Sequence, residues 1–132
     1  MTGKEIYDLA AELLACKNAD GSDNADCNDY VSRAPGLINI LLAETLWLDR
    51  LLRQDKSVMP VYIRSVDDTV RCNGVLARSV LPYGLAALLA MEEDVQMYDR
   101  LHGRYREEIS RIKEEVAGVR HDIGDCYGYN GG

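Results

Sequence analysis

The stretch SVLPYGLAALLAMEED, residues 79–94, restricts the fold most, because the most apolar run of the chain contains a proline and a glycine. Its apolar part, residues 80–91, is twelve residues long, whereas a membrane-spanning helix needs about 20. Pro82 removes a backbone donor and bends a helix, and Gly84 lets another backbone approach closely. We therefore expect a kinked helix in the core of a soluble protein, with the hydroxyl of Tyr83 projecting from the bend.

Hydrophobic periodicity predicts an all-α fold, because apolar residues recur at steps of three or four along most of the chain. Thr2 and Glu5 have the spacing of a capping box at the start of the first helix. Pro35 lies near the start of the second helix and indicates either a kink or the true first turn. The length of 132 residues fits one helical domain over residues 1–117. The four predicted helices span roughly residues 3–16, 29–53, 74–92 and 95–116.

Two segments after the second helix lack a helical pattern. Residues 54–72 contain Pro60, which cannot donate to an interior strand, and a connection of this length is usually functional or packed as an arm. Asp67 and Asp68 fit a turn or a helix cap better than a catalytic pair, because neighbours on an extended chain point in opposite directions. Residues 118–132 are rich in Gly and Tyr and are predicted to be a flexible tail that is disordered or docks on a neighbouring subunit.

The sequence offers no catalytic pattern. It has no phosphate-binding glycine loop, no Ser-His-Asp arrangement and no zinc-protease motif, so we expect no enzyme and no cofactor. The net charge of −7, without a long basic cluster, argues against non-specific binding to nucleic-acid phosphates.

An acidic loop before the second helix contains Asp20, Asp23 and Asp26, and aspartate carboxylates are common calcium ligands. The EF-hand register fails, however, because Ala25 stands where glycine is needed and Val31 stands where the bidentate glutamate belongs. We expect a solvated loop without a metal.

The four cysteines are Cys16, Cys27, Cys72 and Cys126. A zinc site of Cys16, Cys27, His121 and Cys126 would have wider ligand spacing than structural sites usually show. The N-terminal residues lack the basic-then-apolar layout of a secretory signal. We therefore expect a cytosolic protein whose free thiols pack as small hydrophobic side chains.

Five segments together resemble one family, the small all-helical head-to-tail connector, or adaptor, proteins of tailed phages and prophages of Gram-positive bacteria. LPYGLAA is the specific part of the resemblance, and Pro35 departs from it. The segments are DYVSRAPGLINILLAE (29–44), SVDDTV (65–70), LPYGLAALLAMEED (81–94), YDRLHGRYREEI (98–109) and HDIGDCYGYNGG (121–132).

The resemblance implies a virion structural protein that forms a ring on the portal, joins the head to the tail and lines the path of the DNA. Its partners would be further copies of itself and the portal and tail-side phage proteins, with DNA only passing through the lumen and no membrane. It would act in the virion, and in the host cytoplasm during assembly. The expected interface residues are Trp47, Tyr62, Asp67, Asp68, Tyr83, Tyr127 and Tyr129.

An alternative remains open, in which the chain is a phage assembly factor outside the virion or a small dimeric binding module. In that case Trp47 or the kinked third helix would form the contact.

Overall fold

A computed structural model describes residues 1–16 and 29–126 of the chain, with side chains up to Gly118. This part is helical and contains no strand, only one isolated antiparallel bridge between Thr2 and Thr69. The all-α prediction is therefore confirmed. The helical segments are α1 (Gly3–Leu13), α2 (Tyr30–Glu44), α3 (Leu46–Arg53), α4 (Gly74–Ser79), α5 (Leu81–Ala90) and α6 (Val95–Cys126).

The predicted number of four helices is wrong, because two of them are each divided. The predicted helix 29–53 breaks at Thr45, whose buried hydroxyl donates to the Leu41 carbonyl at 2.7 Å. Such side-chain bonds to the preceding turn bend helices. The predicted helix 74–92 breaks at Val80, and Pro82 lies in the first turn of the new helix, where its missing N–H needs no partner.

Several helix ends also differ from the prediction. Helix α1 ends at Leu13 rather than at residue 16, and Ala15 then takes a left-handed conformation with φ 57°. Helix α2 begins at Tyr30, before Pro35, so the proline lies inside the helix. Helix α6 continues to Cys126 rather than ending at 116, since an isolated glycine costs a helix only about 1 kcal/mol.

Helix α5 forms the centre of the bundle and packs against α1, α2, α4 and α6. Gly84 lies where α2 and α6 come closest to it. A Cβ atom at this position would stand 2.8 Å from Leu41 Cδ2 and 2.9 Å from the Tyr105 ring. The expectation of a buried helix is confirmed, but the atoms closest to this glycine belong to the side chains of Leu41 and Tyr105 and not to another backbone. The buried residues of α5 are Leu81, Pro82, Gly84, Leu85, Ala86, Ala87, Leu89 and Ala90.

Among the described residues, no helix combines the length and the apolar character needed to cross a membrane.

The cysteines do not all behave as predicted. Cys72 is a free, half-buried thiol, but Cys16 is disulfide-bonded, so the expectation of a free thiol is wrong there. Connectivity between cysteines cannot be deduced from sequence alone. Cys27 lies outside the described residues, as does the acidic loop, and the side chains of Cys126 and His121 are outside the described part as well.

Candidate interaction surfaces

Residues 54–72, called the arm below, form no helix and are hydrogen-bonded to the helical body. Asn39 of α2 holds the arm at Ile63: its side-chain amide donates to the Ile63 carbonyl and its Oδ1 accepts from the Ile63 N–H, both at 2.8 Å. Arg50 of α3 holds it at Val58, where Nε donates to the carbonyl oxygen at 2.9 Å. The arm is therefore fixed to α2 and α3 by hydrogen bonds to its backbone.

The later part of the arm covers the beginning of α1. The N–H groups of Gly3 and Lys4 donate to the carbonyls of Asp68 and Val66 at 3.0 and 2.7 Å. Since the first N–H groups of a helix have no partner within it, the arm supplies acceptors that α1 would otherwise lack.

Asp67 and Asp68 lie in a turn of the arm, as their sequence position predicted. The Asp68 carboxylate accepts from the N–H groups of Arg64 and Ser65 at 2.8 and 3.1 Å. These two bonds hold the pKa of Asp68 below its usual value. Asp67 is exposed, and its N–H donates to the Ser65 hydroxyl at 3.2 Å. The two acids therefore shape the turn, with only Asp68 using its carboxylate for it.

The far end of the arm is tied to α3 by Asp49, which is 5% exposed. Its carboxylate accepts from the Asn73 N–H at 2.9 Å and from Arg53 Nε at 3.0 Å. Asn73 in turn caps α4 through its own side chain. Burial, followed by the charge of Asp49, raises the pKa of the Cys72 thiol to about 11.

The outer side of the arm exposes apolar side chains although its backbone is fixed. Met59, Val61 and Tyr62 are 68%, 48% and 54% exposed, whereas the next residue, Ile63, is 4% exposed. Exposed bases flank them, and no acidic residue occurs from 56 to 64. We call Lys56, Met59, Val61, Tyr62 and Arg64 the arm surface.

The remaining residues expected at an interface lie apart from the arm. Trp47 on α3 is 47% exposed, so it does not belong to the core. Tyr83 is half-buried, and the Arg104 guanidinium lies 5.2 Å from the centre of its ring and donates to its hydroxyl at 3.5 Å. Tyr83 thus joins α5 to α6 instead of standing free at the bend. Tyr127 and Tyr129 lie outside the described residues.

A second exposed region lies between α5 and α6, where the sequence predicts that one helix ends at 92 and the next begins at 95. Here Met91 and Val95 are 45% and 66% exposed and enclose three exposed acids. We call Met91, Glu92, Glu93, Asp94 and Val95 the acidic turn. A signal for it is visible in the sequence, since acids bounded by apolar residues follow directly on the most apolar helix.

Two acids of this turn also stabilise the fold. Glu93 accepts a hydrogen bond from the Tyr30 hydroxyl at 2.6 Å, and Asp94 accepts one from the Met97 N–H at 3.0 Å. Burial and the bond to Glu93 raise the pKa of Tyr30 to about 12. A cleft of about 190 Å³ lies beside these groups. Its lining residues are Leu14, Cys16, Tyr30, Ala90, Glu93, Asp94 and Met97.

The part of the chain that the structure describes contains no group of three or more His, Cys, Asp and Glu side chains suited to a metal. His102 on α6 stacks on Tyr98, with ring centres 5.2 Å apart, and lies 5.8 Å from the Tyr105 ring. Comparison with protein-family models, with curated proteins and with solved structures finds no match to this chain.

Proposed function

We propose that the chain is a structural subunit of a phage or prophage virion, a head-tail connector that forms a ring on the portal and lines the DNA path. The resemblance of five segments, above all LPYGLAA at residues 81–87, supports this proposal. The all-α fold with an arm is compatible with it.

The arm surface is the observation that carries the proposal. Burying apolar area contributes about 25 cal/mol per Å², so Met59, Val61 and Tyr62 gain most from a partner that covers them. Because Asn39 and Arg50 already hold the arm backbone, a partner meets an ordered surface and little ordering cost remains. A prepared surface of this kind lowers the cost of assembly.

The charge of the chain supports a path for DNA. The net charge is −7, and an acidic lumen repels phosphates, so that DNA passes without binding. In this proposal the chain acts in the virion and, during assembly, in the host cytoplasm.

The test is negative-stain electron microscopy of the protein mixed with portal rings, or with DNA-filled tailless heads, from the same genome. We expect added ring density below the portal. Val61→Ser should weaken this density, whereas Val75→Ser on α4 is the matched control, because the two valines are 48% and 49% exposed. Equal loss of density in both variants would remove the arm from the interface.

One observation favours the alternative, an assembly factor or a dimeric binding module. Trp47 is 47% exposed on α3, outside the arm surface. If intact portals show no added density while Trp47→Ala abolishes a dimer in solution, the alternative replaces the connector.

A further inference from the structure

We infer that the acidic turn of one copy docks on the arm surface of the next copy, so that the two regions form the two halves of a head-to-tail contact. This inference rests on the proposed function, which requires copies of the chain to associate. Beyond that function, it identifies the two surfaces that are in contact.

The two regions are complementary in character. The acidic turn places three exposed acids between exposed Met91 and Val95, and it contains no base. The arm surface places exposed Met59, Val61 and Tyr62 between exposed Lys56 and Arg64, and the exposed acids Asp55, Asp67 and Asp68 lie just outside it. Contact between the regions therefore buries apolar side chains on both sides and brings opposite charges together. Electrostatic complementarity of this kind sets partner choice and orientation.

The charges concerned are not held in ion pairs, although the charge of Arg64 acts on the nearby Asp68 carboxylate. Within residues 1–16 and 29–118, the side chains of Lys56, Arg64 and Glu92 form no ion pair. By contrast, Arg104 and Arg111 on α6 are already engaged with neighbouring glutamates of the same helix.

Within one copy the two regions lie apart along α2, the acidic turn at its start and the arm in its second half. Tyr30, at the start of α2, bonds to Glu93 of the acidic turn, and Asn39 bonds to Ile63 of the arm. Nine residues of α-helix separate them, a rise of about 14 Å. Helix α1 has the same arrangement, since it begins against Asp68 of the arm and Leu14 after its end lines the cleft beside Glu93. Two different patches in one subunit generate a head-to-tail contact, which closes into a ring when the rotation permits.

The test uses two full-length variants with reversed charge. In the arm variant, Lys56→Glu and Arg64→Glu make the arm surface acidic. In the turn variant, Glu92→Lys and Glu93→Gln change the acidic turn itself, and Gln96→Lys, one residue beyond it, completes the change to a basic surface. Glutamine at 93 still offers an oxygen to the Tyr30 hydroxyl, and the Asp94 cap is untouched. The control carries Lys113→Glu and Arg106→Glu, two exposed positions on α6 that change the net charge as much as the arm variant does.

Sedimentation velocity up to millimolar concentration in low salt is the first measurement. We expect the unmodified protein and the control to self-associate, and salt to weaken this association by screening the exposed charges. Each reversed variant should associate at least about tenfold more weakly, because like charges then face each other. An equimolar mixture of the two variants should recover association, because each mixed contact again pairs opposite charges.

The inference is overturned by any of three results. The unmodified protein stays monomeric, the reversed variants associate as strongly as the unmodified protein, or the mixture associates no more strongly than each variant alone. Circular dichroism of every variant shows that a loss does not come from unfolding. Portal binding separates this result from the proposed function. If the reversed variants still form rings on the portal, the pairing of these surfaces is wrong and the connector role stands. If the unmodified protein forms no ring there, the connector role itself is wrong.

Discussion

Asn39 and Ile63 stand 24 positions apart and are joined by two hydrogen bonds of 2.8 Å, in which one side-chain amide pairs with both backbone groups of a single residue. The side-chain amide thereby makes the pair of hydrogen bonds that a neighbouring β-strand would make with Ile63. This pair determines where the arm crosses α2, and therefore which side chains of the arm face outward.

Replacing Asn39 by alanine should loosen the arm. Two hydrogen bonds contribute about 1–3 kcal/mol to the free energy of unfolding, and the Ile63 amide should exchange with solvent faster in the variant. Gln96→Ala, at an exposed position of α6, should change the stability by less than about 0.5 kcal/mol. Hydrogen exchange followed by mass spectrometry checks both, and unchanged protection at Ile63 would show that other contacts hold the arm.

Gly84→Ala should destabilise the fold although alanine favours helices. The added Cβ meets Leu41 Cδ2 at 2.8 Å and the Tyr105 ring at 2.9 Å, and overpacking of this kind costs about 1–3 kcal/mol. Gly103→Ala is the matched control, because nothing lies within 4 Å of its Cβ position in α6. For Gly103→Ala we expect the free energy of unfolding to rise by up to about 1 kcal/mol. Urea unfolding distinguishes the two, and similar shifts in both would mean that α5 moves freely at Gly84.

The features that local pattern determines were predictable from sequence. The apolar run around Pro82 and Gly84 predicted a buried, bent helix. Both features are local, because apolar side chains favour burial of the segment and the missing N–H of proline interrupts the helix at that point. The absence of helical period in residues 54–72 predicted an arm, and Asp68 was expected to shape a turn.

The remaining features depend on residues that are distant in sequence. Nothing near Asn39 predicts its bond to Ile63, and Tyr30 meets Glu93 from 63 positions away. The break at Thr45 arises because its hydroxyl is buried against α2, and burial follows from packing rather than from a threonine in the sequence. The acidic turn was overlooked as a surface for the same reason: exposure of Met91 and Val95 is a property of the folded chain.

Asp49→Ala should destabilise the junction between the arm and α4. It removes the buried acceptor of the Asn73 N–H and the partner of Arg53, and a hydrogen bond to a charged group contributes about 1.5–3 kcal/mol. Asp49→Asn should lose less stability, since its amide oxygen can still accept a hydrogen bond from the Asn73 N–H. Urea unfolding of both variants checks this order, and equal losses would show that the charge rather than the acceptor is what matters.

Removal of residues 118–132 should leave the fold intact. The last buried side chain described in α6 is Ile112, and residues 113–115 and 117 are exposed, so the cut removes no described core residue. The melting temperature should therefore remain close to that of the full chain, while assembly on portal rings should be lost. An unfolded truncation would place part of the core beyond residue 117, and normal assembly would exclude the tail from the interface.

Tyr30 should make the fold sensitive to alkaline pH. Burial and the bond to Glu93 raise its pKa from 10.0 to about 12 in the folded chain. Between these values the unfolded chain loses a proton that the folded chain retains. The stabilising contribution is therefore complete below pH 10 and is lost as the pH rises toward about 12. Tyr30→Phe removes this contribution, so its free energy of unfolding should fall less between pH 9 and pH 11.5 than that of the unmodified protein. Tyr105, whose pKa burial also raises, is present in both chains, so the difference between them reports Tyr30. Urea unfolding across this pH range provides the measurement, and parallel losses in the two chains would mean that Tyr30 titrates alike in the folded and unfolded states.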